Sequence, residues 1–64
     1  MLVKIINQDS DARWINPEAV LLVLDRFDEA TRRNCTIVVL EEVGELWTDE
    51  LLDSVVARVN QELR

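Results

Sequence analysis

A chain of 64 residues with a net charge of −6, 48% hydrophobic residues, one cysteine and no histidine has room for one domain built on one small core. These counts exclude an internal disulfide and a Cys/His zinc site, and the acidic balance speaks against general binding to a nucleic-acid backbone. A chain this short buries only about 60% of its unfolded surface, so association with further copies is the expected source of added stability.

The acidity is uneven. Residues 1–34 carry five basic and six acidic side chains, and residues 35–64 carry two and seven. A solvated face that maintains solubility is the simplest reading, and the acidic count is low for a mimic of nucleic-acid charge. No apolar run approaches the ~20 residues of a membrane span. Met1 to Ile6 is too short for a signal peptide. With a lone cysteine, the expected location is the cytoplasm, or the host cytoplasm for a phage-encoded chain.

In chain order, Leu2 to Ile6 is a short β-branched run that reads as a first strand. Asn7-Gln8-Asp9-Ser10-Asp11 reads as a turn, after which Arg13-Trp14-Ile15 can return antiparallel. Residues 16–34 admit two readings. Asn16-Pro17-Glu18 has the form of a helix start, and Arg32-Arg33-Asn34 would suit the end of that helix. Val20-Leu21-Leu22-Val23-Leu24, however, is a continuous apolar run typical of a strand buried on both faces. Cys35 to Leu40 is a strand, Glu41-Glu42-Val43-Gly44 a tight turn on the only glycine, and Glu45-Leu46-Trp47 a short returning strand. Thr48 or Asp49 can cap a final helix over residues 49–63, where Leu52, Val55, Val56, Val59 and Leu63 share one face. Arg58 and Arg64 would complement its C-terminal dipole.

The motifs Trp14-Ile15-Asn16-Pro17 with Val20 and Val23, Thr36-Ile37-Val38-Val39-Leu40, Gly44 and the terminal helix occur in an order that resembles the FlbD-type flagellar proteins and similar short phage and bacterial proteins. The resemblance spans most of the chain. It implies an α+β fold: a small antiparallel four-stranded sheet of two hairpins with one C-terminal amphipathic helix, β-β-β-β-α, in which Asn16-Pro17 is a bend between strands. The alternative topology is β-α-β-β-α. The sequence departs from the family in a charged link, Asp25 to Asn34, where a tight turn is usual, and this link is expected to be mobile.

No catalytic constellation is present: there is no histidine, P-loop or nucleophile elbow. Cys35 opens an apolar strand and reads as a buried structural thiol. The carboxylate groups Asp9/Asp11, Asp25/Asp28/Glu29 and Glu41/Glu42 lack calcium-loop spacing. No enzyme activity, metal or cofactor is therefore expected. Arg13, Trp14, Arg26, Arg32, Arg33 and Trp47 are the candidate ligand- or partner-binding residues. The tryptophans could pack in the core or stack on a base, and the arginines could sit in solvent or meet anions. Both faces of the strands are apolar while one helix covers only one of them, so a homo-oligomer is expected. Val3, Ile5, Leu21, Val23, Ile37 and Val39 are its candidate interface residues. The resulting expectation is a small non-enzymatic oligomeric regulator that binds and inhibits or modulates a host or bacterial protein. The alternative is an anti-defence sponge that holds a nucleotide signal between subunits.

Overall fold

The computed structural model describes residues 1–63. The chain forms β1 (Val3–Ile6), β2 (Ala12–Ile15), a single 3-10 turn (Pro17–Ala19), β3 (Val20–Asp28), β4 (Arg33–Leu40), β5 (Gly44–Thr48) and α1 (Leu52–Leu63). The class is α+β and every strand pairing is antiparallel. The expected four-stranded sheet is corrected to two sheets, β1-β2 and β3-β4-β5. The β-α-β-β-α alternative is corrected as well, since residues 17–33 hold one 3-10 turn and a nine-residue strand.

Asn16-Pro17 causes the division. The Asn16 carboxamide oxygen accepts the Glu18 N–H at 3.0 Å, and the Asn16 carbonyl accepts the Ala19 N–H at 3.0 Å. Pro17 has no N–H with which to continue a ladder. The helix-start signal is therefore real but lasts one turn. Beyond it, Val20–Leu24 has no polar face to offer a surface helix, and pairing with β4 satisfies the backbone while burying alternate side chains.

A bulge in β3 decides which apolar residues reach the core. The register steps from Val20↔Leu40 to Leu22↔Val39, leaving Leu21 unpaired and exposed. The phase of the strand shifts by one residue there. Val20 and Val23 consequently pack on the core, while Leu22 and Leu24 lie on the opposite face. The core combines Val3, Ile5 and Ile15 of the small sheet, Val38 and Leu40 of β4, and Val55 and Val59 of α1. The helix lies against β1, the 3-10 turn and β3, and so joins the two sheets.

The charged link is shorter than expected. Pairing runs on through Arg26↔Cys35, Phe27↔Asn34 and Asp28↔Arg33, so only residues 29–32 form the turn. The Asp28 carboxylate accepts the Ala30 N–H at 3.0 Å and its carbonyl accepts the Arg32 N–H at 2.7 Å. Opposite charges on Asp28 and Arg33 favour this last pair. In the next hairpin, Glu42 (φ 68°) centres a γ-turn closed by the Val43 N–H on the Glu41 carbonyl, and Gly44 follows at φ 95°. An added Cβ at Gly44 would meet nothing within 4 Å, so backbone conformation alone calls for glycine.

The helix begins at Leu52, later than Asp49, because a hydrogen-bond knot occupies the residues before it. The buried Thr48 hydroxyl donates to the Ile6 carbonyl and accepts the Glu50 N–H. The buried Thr36 hydroxyl donates to the Glu50 carbonyl at 2.7 Å. Arg58 does not serve the helix dipole. It reaches across to donate to the Lys4 carbonyl at 2.6 Å and to the Glu50 carboxylate, which also accepts the Ile6 N–H. Arg64 lies outside the described residues. No helix among the described residues is long and apolar enough to cross a membrane.

Glu50 carries a pH dependence. Partial burial raises its pKa, but the hydrogen bonds from Arg58 and from the Ile6 amide outweigh that, and the group ends below its ordinary value. Its folded pKa lies below the unfolded one, so its stabilisation is complete above the unfolded carboxylate range and is lost as pH falls through the folded value. Glu50→Gln should lower the thermal midpoint at pH 7, and the gap between variant and parent should narrow as pH falls below the unfolded carboxylate range. Thermal melts of both chains between pH 3 and 7 on the order of one unit apart check this; a constant gap across that range would contradict it.

Candidate functional site

Two surfaces stand out among the described residues. The first is the outer face of the three-stranded sheet. The β3–β4–β5 register places Leu22, Val39 and Glu45 in one row, Leu24, Ile37 and Trp47 in the next, and Arg26 with Cys35 in a third. Ile37 and Cys35 are inaccessible although they lie outside the core cluster that the helix covers. The reason is that Arg26, on β3, reaches across β4 to lie over the Trp47 ring on β5, 5.6 Å from its centroid. The arginine stem thereby covers the strand between them. Leu22 remains 47% exposed and bulged Leu21 60% exposed, with Leu24 and Val39 half-buried beside them. The apolar part of this face that stays open is the patch of Leu21, Leu22, Leu24 and Val39, at the end of the sheet away from Arg26.

The second surface is a cleft of about 990 Å³ between the β1–β2 hairpin and the β4–β5 hairpin. Trp14 and Trp47 both line it, with Ile15, Leu40 and Leu46 at its apolar base. Among the described residues its charged lining is Asp9, Glu41, Glu42 and Glu45 with Arg13. The indole N–H of Trp47 donates to Glu45 Oε1 at 3.1 Å, which fixes both groups at the rim. The Gln8 N–H donates to the Trp47 carbonyl at 3.0 Å and joins the two hairpins at one end of the cleft.

The structure thus brings Arg13, Trp14 and Trp47 together and leaves Arg32 and Arg33 at the far end of the β3–β4 hairpin, outside the cleft. Arg26 touches Trp47 from the outer face. Among the oligomer candidates, Val3, Ile5 and Val23 face this chain's own core and offer nothing to a second copy. Ile37 lies on the outer face but is covered, whereas Leu21 and Val39 do border the open patch. Sequence reading missed Leu22 and Leu24, because the bulge that turns them outward has no signature in an unbroken apolar run. It also misses the acidic cleft wall: the sequence reads Glu41 and Glu42 as turn residues and as a carboxylate pair without calcium-loop spacing, and their place beside Gly44 is the available signal. Burial pushes the Cys35 thiol above its ordinary pKa, aided by the Asp28 and Asp49 carboxylates, so it stays protonated and a poor nucleophile.

No protein-family profile, curated protein or solved structure matches this chain. What fold and surfaces define is a small α+β protein with an open sheet face and an acidic, tryptophan-lined cleft.

Proposed function

We propose that this chain is a small non-enzymatic binding protein that self-associates through the outer face of its three-stranded sheet and regulates another bacterial or host protein by binding it in the cytoplasm. The observation that carries this reading is the outer face itself: Leu21, Leu22, Leu24 and Val39 form an apolar patch that the helix does not cover, beside the Trp47 ring under Arg26. A second copy fits it by charge as well as by apolarity. Arg26 and Glu45 stand at diagonally opposite corners of the face, with Ile37 of β4 midway between them. A two-fold operation about Ile37 that exchanges those corners sets Arg26 of one copy over Glu45 of its partner, twice per dimer. The order of motifs resembling FlbD-type proteins supports the same class of small regulator.

The nucleotide-sponge alternative has less support. The cleft that contains both tryptophans is acidic, and phosphates would meet Asp9, Glu41, Glu42 and Glu45 there with only Arg13 in compensation.

Sedimentation or light scattering over about 10 µM to 1 mM tests the self-association, a range that reaches weak protein–protein affinities. Twice the chain mass at the upper concentrations is the expected result. Monomer mass throughout would overturn it.

A further inference from the structure

We propose that the acidic cleft between the two hairpins binds an extended, basic peptide segment of the partner protein. This inference rests on the reading of the chain as a protein-binding regulator and names the chemistry of what it binds.

Three independent features of the cleft converge on that occupant. The first is charge: four carboxylates and one guanidinium line it, so its field attracts cations and repels phosphates and acidic peptides. The second is aromatic surface. Trp14 is 61% exposed and Trp47 half-buried, and both line the cleft. An indole face attracts an ammonium or, more strongly, a guanidinium group. Trp47 already holds the Arg26 guanidinium of its own chain in this way.

The third feature is an open strand edge. The Trp47 carbonyl turns away from β4 to accept the Gln8 N–H. Alternate residues of an antiparallel strand direct their N–H and C=O groups to the same side, so Glu45 presents both of its groups to that side. Among the described residues, no backbone hydrogen bond outside the β4–β5 ladder uses them. An extended chain laid along β5 satisfies these two groups, its alternate side chains point to the same wall, and basic residues at those positions meet the carboxylates. A volume of about 990 Å³ accommodates a few residues of extended chain and not a folded domain. The apolar base at Ile15, Leu40 and Leu46 takes the residues that alternate with the basic ones.

The test uses the full chain and an eight-residue fluorescein-labelled peptide that alternates valine with lysine and arginine, followed by fluorescence anisotropy. A counterpart with glutamate at the basic positions and a free nucleoside diphosphate serve as anionic probes. The basic peptide should bind with one site per chain, and the anionic probes should not compete. Trp14→Ala should weaken binding about tenfold through the lost indole face. The double substitution Glu41→Gln with Glu42→Gln should weaken it by a similar factor and flatten its salt dependence. Both sets of side chains lie on exposed positions, and unchanged thermal midpoints confirm that folding is intact. Absence of binding at millimolar peptide overturns the proposal, as does equal affinity for the glutamate peptide or unchanged affinity in both variants. None of these results bears on the mass of the particle in solution, so failure of the cleft and failure of self-association are read separately.

Discussion

Thr48→Val is expected to lower the midpoint of thermal unfolding by about 10–20 °C. The Thr48 side chain is completely buried and its hydroxyl is used twice, as donor to the Ile6 carbonyl and acceptor of the Glu50 N–H. Valine keeps the volume and removes both bonds. The two backbone groups lose these partners in a part-buried site, at a cost of about 1–3 kcal/mol for a buried unsatisfied group. In a domain of this size each kcal/mol moves the midpoint by about 4–8 °C. The effect is topological as well as local: Thr48 ends β5, Ile6 ends β1, and Glu50 leads into α1. That one hydroxyl therefore ties both sheets to the helix entry. Differential scanning calorimetry checks the expectation, and a shift under about 3 °C would mean that water or relaxed backbone replaces the lost bonds.

Leu22→Lys is expected to weaken self-association more than a hundredfold while leaving the monomer fold intact. In the isolated chain Leu22 is half in solvent on an edge strand, where lysine is well tolerated. In the proposed dimer the same position is buried twice, and an unpaired ammonium in each copy costs about 3–5 kcal/mol. Charge exchange supplies the orientation test. Arg26→Glu and Glu45→Arg should each weaken the dimer by about tenfold or more, and the two together should recover most of the loss. Recovery singles out the two-fold arrangement in which these corners meet. Additive losses in sedimentation experiments would show that the copies pack some other way.

Much of the architecture was legible in the residues. β4 and β5 follow from β-branched runs around the lone glycine, and the apolar stripe from Leu52 to Leu63 defines the helix. Those signals are local: period, turn chemistry and capping each act within a few residues. The acidic balance that shapes the cleft was also visible as the excess of carboxylates after residue 35. Its location was not, because Asp9 and Glu41 are far apart in the chain and come to line one cleft only when the β1–β2 hairpin docks beside β5. The same limit applies to Arg58, whose spacing suits a helix end but whose side chain is drawn to Lys4 and Glu50.

Two outcomes were decided by tertiary structure alone. Asn16-Pro17 carries equally good local signals for a helix start and for a bend, and the choice fell to pairing of Val20–Asp28 with β4, a long-range gain that a helix would forfeit. The face on which each of Val20, Leu21, Leu22, Val23 and Leu24 lies depends on a one-residue bulge. In an unbroken apolar run every register is locally equivalent, and only contact with Val38, Leu40 and the helix breaks the tie. Sequence by itself therefore determined the elements and their apolar content. The packing of distant elements determined which apolar surface became core and which was left open to a partner, because burial is a property of neighbours that the local chain does not contain.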